Sequence, residues 1–554
     1  MESSTNELSS STAKSSHYGD SSPFGAHCRS THDEPSQRRG HGHSHSHNQI
    51  SETEEQEHFQ QVCRSYQQYA TFHQTKEQGI QHRTYQLLLK SPYGDVSRNV
   101  NTPTIRSILP PALQPQSSGN AQYEKQQQLF YEATIRNQFF LDSILKYSGV
   151  ETSQQVLRSV RSKNSHGNSG NNLSSIEWVT EEQISKVDSV LKSVARDWSD
   201  EGKVERGVVY DRIVDALEKY LPLSNGNDTN ISDGNAAIKN DLNGPPRVAV
   251  PGSGLGRLAW EIFTRGYSTQ GSDFSLPMLL ASDFILNGSQ DDNNGNFRRF
   301  AISPWLAETR NVMSFAHRIR PVFVPDVDPN SASRNMEQHR SYPPEFTMLA
   351  GEFLSVYSHY LPENQSCQQG CQSSKFHAVA CSFFLDTAPS LPHYLLTIYH
   401  MLEDGGLLIN FGPLMYRECS MSLNQKVGSC LVYHRRLTSF SQLKWLFLQF
   451  HVFVDWSGHG TLLPSDMSPN TDANVRSNNH MSEKYQKRNA YLDSRYLSNI
   501  DYTWEEVRHM IIQCGFEILD EDTHISAPYT SDVEAMMKVF YDCVFLVAKK
   551  KVSA

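Results

Sequence analysis

No apolar run in these 554 residues approaches the ~18 that a membrane-crossing helix needs, so no span is expected. An excess of basic side chains is missing too. Fifty Lys and Arg stand against 60 Asp and Glu, a formal net charge of −10, and no basic stripe balances a phosphate backbone, which sets nucleic acid aside as a partner. The amino-terminal Met-Glu-Ser-Ser-Thr-Asn has no basic and then apolar leader, so a cytoplasmic location, with a nuclear share, is the expectation. Cysteine is sparse. Nine are scattered along the chain, an odd number that fits free thiols in a reducing compartment rather than a disulfide framework. Cys367 and Cys371 stand near His359 and His377, yet their spacing matches no common zinc pattern, and no metal is expected.

What is present is organised around Arg247 to Trp260. Val248 to Val250 reads as a short buried strand, and the glycines after it allow a tight turn whose backbone can approach a ligand. Leu255, Leu258, Ala259, Ile262 and Phe263 then recur at helical spacing, so the turn opens an amphipathic helix whose N-terminal N–H groups face that ligand. Gly252, Gly254 and Gly256 make G-x-G-x-G, whereas a dinucleotide fingerprint requires G-x-G-x-x-G, and no Gly-Lys-Ser/Thr follows to form a phosphate loop. The pattern resembles the first motif of class I S-adenosylmethionine-dependent methyltransferases. Tyr267 to Gly271 reads as a second strand leading to Asp273, 17 residues past Gly256, where an acid can accept hydrogen bonds from both ribose hydroxyls.

The rest of the chain supplies a frame for that turn. Residues 1–52 are Ser, His, Gly and Asn-rich, with too few aliphatic side chains to offset ordering entropy, and read as a disordered tail. Residues 53–223 read as a helical subdomain with flexible inserts. Its helices run from Glu54 through Tyr69, from Tyr123 to Leu145, over about 180–198, and from Val208 to Leu221. From 246 to 548 strands and helices alternate. Ser275 to Asn287 reads as a covering helix, Thr347 to Phe353 as a third strand ending on Glu352, and His377 to Ala388 as a central strand ending on Asp386. Leu391 to Leu402 follows as a helix, then the turn Glu403 to Gly406 and a fifth strand, Leu407 to Pro413.

Several segments together resemble the carnosine N-methyltransferase family. They include Arg196-Asp-Trp-Ser, Val250-Pro-Gly-Ser-Gly-Leu-Gly-Arg-Leu-Ala-Trp-Glu, Gln270-Gly-Ser-Asp-Phe-Ser, Pro325-Asp-Val-Asp-Pro, Phe383-Phe-Leu-Asp-Thr-Ala, Gly412-Pro-Leu-Met-Tyr, Tyr529-Thr-Ser-Asp and Met536-Met-Lys-Val-Phe-Tyr. The resemblance implies an α/β fold, with a Rossmann-like class I methyltransferase sheet behind the helical subdomain. It also implies methylation of an imidazole nitrogen of the histidyl dipeptide carnosine, giving anserine, with S-adenosylmethionine as cofactor. By the same resemblance the cofactor is held by Arg196, Gly252, Gly254, Asp273, Glu352, Phe353 and the strand end at Ser382. Ser193 stands where the family commonly has Gln. The dipeptide contacts map to Asp386, Tyr529 and Tyr541, and to a His after Gly-Pro-Leu-x-Tyr, where this chain has Arg417.

Arg417 opens a stretch, 417–455, rich in Cys, Leu, Phe and basic residues, within an insertion-rich segment 417–500 that parts Tyr416 from its usual neighbour. His434, His451 and His459 are candidates to fill the gap. In the mechanism that the resemblance implies, Asp386 binds the imidazole N–H and offsets the positive charge that grows on the ring. Two other readings stand beside this one. A protein-histidine methyltransferase differs only in substrate. A non-catalytic scaffold on the same fold is favoured by Arg417 and the inserts, and opposed by the intact glycine turn, Asp273 and Asp386. A small-molecule dipeptide substrate and a homodimer complete the expectation.

Overall fold

A computed structural model describes residues 52–89, 108–110, 121–158, 178–223, 244–289, 297–331, 343–362, 375–416, 501–530 and 532–552. The expected tail at 1–52, save Glu52, and Cys367, Cys371, Arg417, His434, His451 and His459 lie outside them. Four helices open the described chain: α1 (Glu52–Gln67), α2 (Tyr69–Leu89), α3 (Ala121–Tyr147) and α4 (Glu181–Trp198). The last starts where the sequence dictates. The Thr180 hydroxyl accepts the Gln183 N–H while the Gln183 side chain accepts the Thr180 N–H, a reciprocal cap that satisfies two otherwise orphaned donors. The single helix expected over Val208 to Leu221 is instead α5 (Lys203–Arg206), a π turn over Gly207–Asp211, and α6 (Arg212–Tyr220). An extra residue in one turn rotates the side chains before it against those after it, a feature that apolar periodicity alone does not report.

The sheet is then laid down in order. Its opening elements are β1 (Arg247–Pro251), α7 (Arg257–Thr264), β2 (Ser268–Asp273) and α8 (Leu276–Asn287). A small antiparallel pair, β3 (Phe300–Ile302) and β4 (Val322–Val324), flanks α9 (Phe315–Ile319). Next come β5 (Phe346–Ala350), α10 (Phe353–Tyr357), β6 (Phe376–Ser382), α11 (Leu391–Met401) and β7 (Leu402–Gly412). Past residue 500 lie α12 (Trp504–Gln513), β8 (Phe516–Pro528) and β9 (Phe540–Lys550). The seven strands of the main sheet take the order β5-β2-β1-β6-β7-β9-β8. All pairings from β5 to β7 are parallel, and β9 runs against both its neighbours. This is the Rossmann-like sheet that the resemblance implied. The turn expected at Glu403–Gly406 survives as a break in register inside β7, where Phe376 faces Leu402 but Ala378 faces Leu407.

Alternate side chains of the strands build two cores. Val248, Val250, Ala378, Ala380, Leu407 and Ile409 pack on the face covered by α6 and α7. Ala249, Val379, Cys381 and Leu408 pack on the face covered by α10, α11 and α12. The two-residue period of a strand and burial on both faces together account for the near-continuous apolar runs read from the sequence. A third core joins the opening helices to α8, with Trp198, Phe140 and Phe284 inside it. No helix among the described residues is long and apolar enough to cross a membrane. What matters for function is where the strand order reverses. β1 sits between β2 and β6, so the connections leave in opposite directions there and open a crevice at the carboxyl ends of the strands.

Candidate active site

That crevice holds a cavity of about 450 Å³, walled by the carboxyl ends of β1, β2 and β6, by Gly351 and Phe353 after β5, and by α4, α5 and the π turn from the helical subdomain. Gly252, with φ of +64°, and Gly254, with φ of +55°, take left-handed conformations that a side chain would strain. A Cβ on Gly252 would also stand 2.6 Å from the Phe384 ring. Gly254 turns its N–H to Asp273 Oδ2 at 2.9 Å, and the other oxygen of that carboxylate accepts the Ser275 N–H at 2.8 Å. Burial pushes the Asp273 carboxyl above its usual value, against the opposing pull of N–H groups from Ser275, Gly254 and Phe274. Each carboxylate oxygen has a second lone pair, so the acid can brace the turn and still accept a ligand's hydroxyls.

Of the residues expected to hold a cofactor, Ser193, Arg196, Gly252, Gly254, Asp273, Phe353 and Ser382 all line this one cavity. Glu352 does not. It is the N-cap of α10, its carboxylate accepting the Ser355 N–H at 2.9 Å, and of the two residues expected at the adenine only Phe353 lines the cavity. The third strand accordingly stops at Ala350 rather than on the acid. Arg196 is no isolated fork either. Its Nε and Nη2 donate to the two oxygens of Asp197 at 2.7 and 3.0 Å, a pair buried at the foot of the cavity rather than exposed on a surface. That bidentate bond fixes the guanidinium plane and leaves three of its five donors for a ligand carboxylate.

The structure adds residues that sequence reasoning did not assign to the site. Phe384 and Tyr394 join the expected Phe353 in an aromatic wall, with ring centroids 5.2 Å apart for Phe353 and Phe384, 4.6 Å for Phe353 and Tyr394, and 5.2 Å for the stacked pair Phe384 and Tyr394. Tyr394 lies within an apolar helix and reads as core. Glu205 also lines the cavity, and it accepts the Thr530 N–H at 2.6 Å, tying the helical subdomain to the link between β8 and β9.

The expected substrate residues are placed differently. Tyr529 lines the cavity, with Arg196 over its ring at 5.6 Å. Tyr541 stands behind it at 5.4 Å between rings, and Phe383 meets both, at 4.9 Å from Tyr529 and 6.2 Å from Tyr541. Phe383 holds a φ of +51°, a strained state for a residue with a side chain, and Gly412 accommodates it, since a Cβ there would lie 3.1 Å from the Phe383 Cα. Asp386 was expected at the open end of a strand. Instead the strand ends at Ser382, and Asp386 is buried in a 3-10 turn over Leu385–Thr387. Its Oδ2 accepts the Met415 N–H at 3.1 Å. Thr387 and Phe383 line the cavity, whereas Asp386 lies behind that lining.

The residues on the cofactor side fit an adenosyl group that carries an amino-acid tail. The aromatic wall suits a flat heterocycle, Asp273 suits ribose hydroxyls, and the missing Cβ at Gly252 keeps the Phe384 wall in place. A family profile described as Carnosine N-methyltransferase matches residues 174–552. The Carnosine N-methyltransferase of Mus musculus is 27% identical over 369 residues, which cover 66% of this chain and 63% of that protein. That of Schizosaccharomyces pombe is 35% identical over 240 residues, 43% of this chain and 54% of the relative. The Drosophila melanogaster protein named Carnosine N-methyltransferase unmet is 35% identical over 242 residues, 43% of this chain and 44% of its own. The match therefore spans less than two thirds of the length of each of these relatives. With the glycine turn, the acid of β2 and the ordered sheet on one side, and a profile match over most of the chain on the other, the protein belongs to the carnosine N-methyltransferase family.

Proposed function

We propose that this chain is an S-adenosylmethionine-dependent N-methyltransferase that methylates an imidazole nitrogen of carnosine to give anserine. The observation that carries the reading is the meeting of Gly252, Asp273, Phe353 and Tyr529 on one cavity. When bound, S-adenosylmethionine supplies an electrophilic methyl group on a sulfonium, open to in-line displacement. Everything else is the work of this chain. Asp273 accepts the ribose hydroxyls while holding the Gly254 N–H. Arg196, fixed by Asp197, takes the carboxylate of the amino-acid tail.

On the other side of Phe383, Asp386 accepts the N–H of a neutral imidazole. This selects the tautomer whose second nitrogen carries the lone pair, and the carboxylate offsets the charge that appears as the methyl arrives. The Met415 N–H sets the orientation of that carboxylate through Oδ2. Tyr529 and Tyr541 orient the dipeptide through their hydroxyls, with the Phe383 ring packed against both.

The test is incubation of the purified full chain with carnosine and S-adenosylmethionine, followed by mass spectrometry of the dipeptide. A singly methylated carnosine is expected. Label from the cofactor entering only protein in a cell extract would favour a protein-histidine substrate, and no transfer to either would sink the enzymatic reading. A homodimer in solution is proposed as well, to be checked by light scattering.

A further inference from the structure

The Pro325-Asp-Val-Asp-Pro stretch has no part in the site described so far, yet Asp326 holds two corners of it. Its side chain is 2% exposed and meets two guanidinium groups, Arg257 Nη1 at 2.6 Å on Oδ1 and Arg206 Nη2 at 2.9 Å on Oδ2. Arg257 is the first residue of α7, immediately after the glycine turn. Arg206, through Nη1, donates to the carbonyl oxygens of Arg196 at 2.6 Å and Ser199 at 2.9 Å. One carboxylate thus sets the backbone that presents Arg196 and the helix start that follows Gly252 to Gly256. Trp198 closes the link. Its Nε1 donates to the Leu255 carbonyl at 3.2 Å, its own carbonyl accepts the Asp326 N–H at 2.8 Å, and its ring lies under Arg257 at 4.8 Å.

We propose that Asp326 is a positioning residue for the cofactor, holding the glycine turn and the Arg196 corner at the separation that an adenosyl group with an amino-acid tail requires. A buried ion pair of this kind adds little net stability over apolar residues of the same shape, because desolvation offsets its attraction, so its contribution here is register between two elements. The inference rests on the cofactor reading above and goes beyond it by assigning a residue that does not line the cavity. The acid acts through Arg206, Arg257 and Trp198 and touches no ligand itself.

The experiment is calorimetric titration of the full chain with S-adenosylhomocysteine, alongside cofactor KM and kcat at saturating carnosine. Asp326→Asn, which keeps shape and removes charge, is expected to weaken binding about tenfold or more and to raise the cofactor KM in step. The kcat at saturating cofactor and the carnosine KM should stay near the unmodified values. Trp198→Phe removes the Leu255 bond and trims the ring under Arg257 while leaving the Asp326 carboxylate in place, and is expected to shift affinity the same way by about threefold, which keeps the inference testable if Asp326→Asn does not fold. Unchanged affinity in a folded variant, even with a lower melting temperature, would overturn the positioning role. So would a fall in kcat at an unchanged cofactor KM. If the unmodified chain takes up no S-adenosylhomocysteine, the cofactor reading itself falls, a result distinct from a variant that binds as well as the parent.

Discussion

The two halves of the sheet reach the cavity by different means. On the side of β5, β2 and β1 the wall is made largely of main chain: the left-handed glycines, the Gly254 N–H on Asp273, and the Ser253 N–H on the Ser272 carbonyl at 2.9 Å. On the side of β6, β7 and β9 it is made of rings, with Phe383 packed against Tyr529 and Tyr541 and the Asp386 carboxylate behind them. Backbone geometry admits few substitutions without loss of the turn itself, whereas a surface of side chains can be altered one group at a time. The glycine turn on the cofactor half is therefore rigid toward sequence change. The half proposed to take the dipeptide is the place where substrate preference can shift while cofactor binding persists.

Substitutions can break this division at either half. The largest effect is expected from Asp386→Asn, which should lower kcat by about 10²–10⁴-fold while S-adenosylhomocysteine affinity, read by calorimetry, stays the same. Gly252→Ala should act on the opposite half. Strain at a positive φ, of about 1–3 kcal/mol, together with the contact on Phe384, should weaken cofactor binding about 10–100-fold. Asp273→Ala should weaken it by a similar factor, about tenfold or more, through loss of charge-assisted hydrogen bonds. Tyr541→Phe should raise the carnosine KM only about 2–10-fold in steady-state assays, with cofactor KM unchanged.

The smallest signal is in pH. In the proposed site the ionised form of Asp273 is the one that would accept ribose hydroxyls, and burial raises its pKa. Cofactor affinity should therefore fall on acidification at a higher pH than an ordinary aspartate would set, and Asp273→Asn should flatten that dependence in titrations run across pH. Identical pH curves for the two proteins would remove Asp273 from the ribose.

The cofactor half was legible in the sequence because its determinants are local. Gly252, Gly254 and Asp273 fall within 22 positions of one another, and strand, turn and helix each carry their own apolar period. The third strand was carried too far, to Glu352, for an equally local reason. An acid three residues before Ser355 serves as a helix cap, a signal that competes with reading it as the acid at a strand end. What could not be read is long-range. Arg206 meets Asp326 across 120 positions, and Trp198 meets Leu255 across 57. Strand β8 also escaped. Its run of Glu517, Asp520, Glu521, Asp522 and His524 suits the outermost strand of a sheet, where charge is tolerated, but does not resemble an apolar strand. Asp386 was assigned only through the family motif, since nothing in its spacing distinguishes it from other acids that follow an apolar run.

The position of β9 has a bearing on how the chain is made. It is the last strand described, yet it lies between β7 and β8, and the edge of β7 from Leu407 to Gly412 pairs with Val544 to Lys549 alone on that side. A ribosome releasing this chain from the amino end leaves that edge without a neighbour until the segment beyond residue 540 has emerged. Nascent chains stalled before that point carry an open apolar border of the kind that recruits other strands, so premature termination in this region favours aggregation over a merely inactive fragment.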